Sequence, residues 1–173
     1  MIDERKISIC VPTYNRFEMT TQCFSQVLDD DRVSEIIIQD DSSTDGSYKK
    51  LIDYYKGNTK VHIYQNNVNL DCYKNKAVSL NNTKNKFAIL IDSDNIIEKS
   101  YIDSIYKIKE WNFNTFYTPS FAMPHFDFRE FEGVTLSKEN IAGYISTPRI
   151  EVCLNAANYF VNTYKYLSLF DGS

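Results

Sequence analysis

The chain has 173 residues, 43% of them hydrophobic and 24% charged, which suits one globular domain that buries a core without disulfides or a structural metal. Its 19 basic and 23 acidic residues leave a formal net charge of -4, and that balance argues against nucleic acid as the main partner, since phosphate backbones are usually met by a basic face. With only His62 and His125, and with Cys10, Cys23, Cys72 and Cys153 scattered without a CxxC pair, a histidine-based zinc or iron centre is disfavoured and the cysteines read as buried thiols of a reducing compartment.

The opening MIDERKISIC is charged where a signal peptide would be apolar. Lys6–Pro12 (KISICVP) then reads as a buried strand, and Arg16–Leu28 as a helix with Phe17, Thr20, Phe24, Val27 and Leu28 on one side. Glu35–Gln39 is a second strand, followed by a helix over Thr44–Tyr55 with Tyr48, Leu51, Ile52 and Tyr55 at helical spacing. Val61–Gln65 is a third strand and Leu70–Asn82 a third helix. Lys86–Ile91 is a fourth strand, and Glu98–Lys109 a helix opened by an acid. The longest apolar stretch, Phe87–Ile91, is far short of the ~20 residues that span a bilayer, so the expectation is a cytoplasmic protein without a transmembrane segment.

Beyond Lys109 the pattern is less regular. Phe113–Thr118 suggests a strand, Phe126–Phe131 is aromatic and acidic, and Ser137–Tyr144 suggests a short helix with a serine cap. The alternation of strands and helices in the first half predicts an α/β fold with a mostly parallel sheet covered on both faces.

In such sheets ligands sit beyond the carboxyl ends of the strands, so polar residues that follow a strand carry functional weight. Three clusters qualify: Pro12-Thr-Tyr-Asn-Arg16, Asp40-Asp-Ser-Ser-Thr-Asp45 and Asp92-Ser-Asp94. Two carboxylates one residue apart repel unless a cation or protons intervene. Mg²⁺ or Mn²⁺ takes oxygen ligands while keeping sites for water and phosphate, though a solvated turn also explains the Asp92/Asp94 motif. Asp40 and Asp41 are adjacent acids, more than a helix cap requires, and a fixed carboxylate can accept the imide N–H of uracil or thymine. Ser42, Ser43, Thr44 and Asp45 read mostly as capping residues. Tyr14 can stack on a planar base.

Taken together, the segments ISICVPTYNR (7–16), IIIQDDSSTDGS (36–47) and NVNLDCYKNKAVSLNNTKNKFAILIDSDN (67–95) resemble the family 2 glycosyltransferases of the GT-A fold. The resemblance is closest over residues 6–97. It implies a single GT-A domain over 1–173, with a nucleotide-sugar-binding half (1–97) and an acceptor-side half (98–173) that is short at its C-terminus. It implies transfer from a nucleotide-diphosphate sugar, UDP-linked by preference, to a glycan, lipid-linked or protein-linked acceptor. Inversion and a Mn²⁺ or Mg²⁺ cofactor belong to the same pattern, as do further domains of a longer parent chain.

By position, Pro12, Thr13, Tyr14, Asn15 and Arg16 correspond to the base-contacting loop, Asp41 to the base reader, and Asp40 to a brace for that loop. Lys74 stands near a phosphate-facing arginine. Asp92, Ser93 and Asp94 correspond to the DxD-type motif, Asp94 as direct metal ligand and Asp92 as ribose or water-mediated contact. Where the family carries its general base, after a phrase like Leu169–Ser173, this sequence ends, which leaves Asp127, Glu151 and Asp171 as candidate carboxylates. Asn155 and Asn158 lie where relatives approach the acceptor, Phe121–Phe131 could line it, and Arg149 could meet an anion. A nucleotide-sugar-binding module without turnover is the alternative. A haloacid-dehalogenase-type phosphatase or receiver domain would carry its acids on the first strand, and no G-x-G-x-x-G is present.

Overall fold

The computed structural model describes residues 5–123, 126–144 and 158–169. Four parallel strands, β1 (Ile7–Thr13), β2 (Val33–Asp40), β3 (Val61–Gln65) and β4 (Phe87–Leu90), form most of one sheet. The order is β3-β2-β1-β4, continued by an antiparallel edge strand at Tyr159–Asn162. Every residue of β1 is buried, the pattern expected of a central strand covered on both faces.

Alternate residues of each strand enter two separate cores. Ile9, Val11, Ile36, Ile38 and Ile89 face α1 (Phe17–Cys23), α2 (Ser47–Tyr54) and α4 (Lys99–Lys107), which contribute Cys23, Leu51, Ile102 and Ile105. Cys10, Ile37, Ala88 and Leu90 face the other way, toward Leu80 of α3 (Asp71–Asn81) and Tyr166 of α5 (Thr163–Leu167). The change of face has a topological cause. The chain steps from β1 to β2 to β3 in one direction, then returns past β1 to lay down β4. A right-handed crossover in the reverse direction puts its helix on the opposite face, so α3 crosses where α1 and α2 do not. The order therefore reverses between β1 and β4, and a crevice opens beyond their carboxyl ends.

Three expected elements are corrected. The helix expected over Arg16–Leu28 ends at Cys23, because Phe24 leaves helical geometry (φ -123, ψ 11), and Ser25–Val27 is a short 3-10 turn. Phe113–Thr118 makes one bridge, Tyr117 to Phe160, rather than a strand. Asn112 curls the chain just before it, accepting from the Asn114 N–H at 2.7 Å, and side-chain bonds of this kind compete with a ladder. Ser137–Tyr144 has only a 3-10 turn at Ile141–Gly143, since the Asn140 side chain accepts from Ser137 N and donates to Thr135 O.

A two-stranded hairpin pairs β5 (Phe121–Ala122) with β6 (Phe126–Asp127), and β7 is the edge strand Tyr159–Asn162. The β4–β7 edge is closed by aromatic packing: Trp111 lies 4.8 Å from Phe160 and 5.3 Å from Phe87, and the Arg5 guanidinium sits 4.1 Å above Trp111. Among the described residues no helix is long and apolar enough to cross a membrane. Cys10 and Cys23 are buried thiols, whereas Cys72 is exposed, which corrects its reading as a core residue.

Candidate functional site at the reversal of the sheet

The cleft beyond β1 and β4 has a volume of about 260 Å³. It is lined by Pro12, Thr13, Tyr14 and Arg16 after β1, by Asp41 after β2, and by Asp92 and Ser93 after β4. Asn69, just before α3, and Asp71, Cys72, Asn75 and Lys76 in its first turns complete it. Four segments distant in sequence meet here because the four parallel strands all end on the same side.

The loops after β1 and β2 are tied to each other. Asn15 adopts a left-handed backbone (φ 53), and its N–H donates to Ser43 Oγ at 2.8 Å. Its side-chain oxygen accepts from Thr44 N at 2.8 Å and Asp45 N at 3.3 Å. Asn15 is therefore a clamp between loops and not a wall of the cleft. Ser43 and Thr44 serve this clamp, and the capping role falls to Asp45, whose carboxylate accepts from Ser47 N and Ser47 Oγ, each at 2.9 Å. The same two bonds hold the Asp45 carboxyl below its ordinary value. The Thr13 hydroxyl is turned away to pair with Thr20 at 2.7 Å, and the Thr13 carbonyl accepts the Asp41 N–H at 2.8 Å.

The two acids after β2 are used differently. Asp40 is fully buried and braces its own loop, with Oδ1 accepting from Ser43 N at 2.9 Å and Gln65 Nε2 at 3.0 Å. Asp41 lines the cleft, and both of its side-chain hydrogen bonds fall on Oδ1, from Asn66 Nδ2 at 2.7 Å and Leu70 N at 2.8 Å.

Both acids of the Asp92-Ser-Asp94 turn carry an internal cation. Lys76 Nζ is 2.9 Å from Asp92 Oδ1, with the lysine side chain 7% exposed and the aspartate 32%. Arg16 Nη1 is 2.8 Å from Asp94 Oδ2, with both side chains 45% exposed. The pairs lift the mutual repulsion of the carboxylates, so Lys76 and Arg16 serve where the sequence called for a cation or protons. The backbone N–H of Asp92 donates to the Asn158 side chain at 3.4 Å, so the residue before β7 holds the acidic turn. Burial pushes the neighbouring Cys23 thiol up to about 12, with Asp94 and Asp92 adding to the effect, so it stays protonated.

Lys74 is exposed and does not line the cleft, whereas Lys76, two residues on, is 5% exposed and does. Asn69, Asp71, Cys72, Asn75 and Lys76 were missed, although they follow the end of β3, the kind of position that flagged the other loops. Asp94 borders the cleft through its pair with the lining residue Arg16. Asp127 is on β6, outside the cleft lining, and the Arg129 side chain chelates its two oxygens. Those bonds hold its carboxyl below its ordinary value, at about 2. Glu151, Asp171, His125, Arg149 and Asn155 lie outside the described residues.

Among the described residues no three His, Cys, Asp or Glu side chains gather as a metal cage. Asp92 and Asp94 offer a partial oxygen set, which fits a hard ion that completes its shell with water and substrate phosphate.

A family model for glycosyl transferase family 2 matches residues 8–159. The glycosyltransferase GlyA of Streptococcus pneumoniae is 28% identical over 109 residues, 62% of this chain and 15% of that protein. Abequosyltransferase RfbV of Salmonella typhimurium is 30% identical over 110 residues, 57% of this chain and 33% of that protein. The chain therefore spans a third or less of the length of these curated relatives. Among solved structures, S. aureus TarS 1-349 in complex with UDP-GlcNAc superposes with a TM-score of 0.51 at 25% identity, over 59% of this chain and 30% of that one. The mannosyltransferase PcManGT from Pyrobaculum calidifontis, in complex with GDP-Man and Mn²⁺, shares the fold with a TM-score of 0.52 at 14% identity, over 62% of this chain and 34% of that one.

Proposed function

Because the chain belongs to glycosyl transferase family 2, we propose that its cleft binds a nucleotide-diphosphate sugar, UDP-linked by preference, for transfer to an acceptor hydroxyl with inversion. One observation carries the reading: Tyr14, Asp41, Lys76 and Asp92 line a single cleft where the strand order reverses. Asp41 accepts the imide N–H of the base, and Tyr14, 42% exposed, supplies a ring to stack on it. Asp92 faces the ribose, and Lys76 sets a fixed positive charge beside the diphosphate. Arg16, paired with Asp94 at 2.8 Å, is a second cation within reach of the phosphates.

Asp94 and Asp92 would hold Mg²⁺ or Mn²⁺ together with the donor, Asp94 exchanging Arg16 for the ion. When bound, the metal supplies positive charge to the leaving diphosphate. In the reaction the acceptor oxygen forms a bond to the anomeric carbon as the bond from that carbon to the diphosphate oxygen breaks. A carboxylate takes the hydroxyl proton. Asp127 is unsuited to that role because Arg129 engages both its oxygens. That observation favours a second reading, a nucleotide-sugar-binding module whose base comes from elsewhere in a longer protein, where further domains would also present the acceptor.

Calorimetric titration of UDP, GDP and CMP, with and without Mn²⁺, tests the site. UDP should bind, more tightly with Mn²⁺, and weaken by about tenfold or more in Asp41→Ala and Asp94→Ala. No nucleotide binding under any condition overturns the donor-site reading.

A further inference from the structure

Beneath Asp41 lies a connected set of side-chain amides from β2, from α3 and from the residues that directly follow β3 and α3. Asn82 Nδ2 donates to Gln39 Oε1 at 2.9 Å, and Gln39 Nε2 donates to Asn66 Oδ1 at 2.9 Å. Asn66 Nδ2 donates both to Asn75 Oδ1 at 2.8 Å and to Asp41 Oδ1 at 2.7 Å. Asn75 Nδ2 donates to the main-chain carbonyl of Gln39 at 3.0 Å. Gln39 and Asn75 are each only 2% exposed.

The direction of this chain of bonds is fixed. A main-chain carbonyl can only accept, so Asn75 must aim its NH₂ at Gln39 and its oxygen at Asn66. Asn66 must then present its NH₂ to Asn75, and the same group reaches Asp41. Its oxygen is left for the NH₂ of Gln39, whose own oxygen is left for Asn82. Turning any one amide over would set two donors or two acceptors against each other where water has little access, which is costly. Asp41 is thereby surrounded by donors, Asn66 Nδ2 and Leu70 N, both on Oδ1.

We propose that Gln39 and Asn66 are positioning residues that set nucleobase selectivity through Asp41. The amide chain anchors one carboxylate oxygen and leaves the cleft facing a group that can only accept. Such a group fits the ring N–H of uracil or thymine and opposes the ring-nitrogen lone pair that cytosine carries at that place. Gln39 does not line the cleft, so it can act only through the chain of bonds. The proposal rests on the nucleotide-site reading.

The test is titration of UDP and CDP into the full 173-residue chain and its variants, with thermal melts to establish folding. Gln39→Glu sets a carboxylate oxygen against Asn66 Oδ1, so Asn66 can satisfy the new side chain only by turning its NH₂ away from Asn75 and Asp41. UDP binding should weaken by about tenfold while CDP changes by less than about threefold, so the UDP:CDP preference collapses. Asn82→Ala, at the end of α3, removes only the last link and should move the same ratio by about threefold, serving where Gln39→Glu does not fold. A purely structural role would weaken both nucleotides alike. An unmoved ratio in a folded variant that still binds UDP overturns this proposal alone. No UDP binding to the unsubstituted chain overturns the donor-site reading and this proposal with it.

Discussion

Two lysines stand two residues apart on α3, and the phase of the helix decides which one matters. The buried stripe of that helix is Asn75, Lys76, Ser79 and Leu80, spaced as one helical face. Lys76 lies on it and Lys74 does not. Lys76→Met should therefore weaken UDP binding by roughly tenfold to a hundredfold, as the loss of a charge-assisted bond predicts, with Lys74→Met within about twofold of the parent. Titration of both variants decides it, and equal losses would return the phosphate role to Lys74. The sequence could not separate them, because an inner face made of Asn, Lys and Ser gives no hydropathic signal. Asp41 and Asp92 were legible for the opposite reason. Each follows a short apolar run, and that placement alone marks the cleft. Asn15 was legible as a loop residue but not as a clamp, since its partners lie 28 to 30 positions away.

Elements are joined by similarly specific contacts, and one of them has a pH signature. Arg32, just before β2, donates from Nε to Asp30 Oδ1 at 2.9 Å and from Nη2 to Asp30 Oδ2 at 2.6 Å. Its Nη2 also reaches Asp103 on α4 at 2.7 Å, clipping the start of β2 to that helix. The arginine hydrogen bonds hold the Asp30 carboxyl at about 2. An aspartate titrates near 4 when unfolded, so this contribution is complete above about pH 4 and disappears as pH falls toward 2. Arg32→Met should thus lower the melting temperature at neutral pH, and the gap to the parent should narrow steadily between about pH 4 and 2. A gap that persists unchanged at pH 2 would assign the loss to packing of the guanidinium on Tyr106, 5.1 Å away. The parallel strands could be read in advance because each is a short apolar run, as a strand covered on both faces should be, and α2 and α4 because apolar residues recur along them at helical spacing. The edge strand β7 could not, because it stands outside the strand–helix alternation that marked the others and its antiparallel pairing with β4 is long-range.

At the scale of the molecule, β7 decides whether the chain behaves as one unit or two. The family resemblance implies one domain with a nucleotide-sugar-binding half (1–97) and an acceptor-side half (98–173), and β7 returns from the second half to the sheet built by the first. Phe160 on β7 is fully buried, stacks 5.5 Å from Phe87 of β4, meets Trp111 at 4.8 Å, and shares a bridge with Tyr117. Removing its ring leaves a cavity between those groups. Phe160→Ala should cost about 3–5 kcal/mol, a large part of the roughly 5–15 kcal/mol that holds a domain folded. If the two halves share one core, urea unfolding of this variant stays a single transition, shifted to lower denaturant by every probe. If they are separate units, an early transition appears while the remainder melts where the parent does. The distinction reaches the cleft as well, because Asn158 at the foot of β7 holds the backbone N–H of Asp92. In a single cooperative unit, Phe160→Ala therefore also loosens the acidic turn. UDP binding should weaken as the edge strand frays, even under conditions where most molecules remain folded.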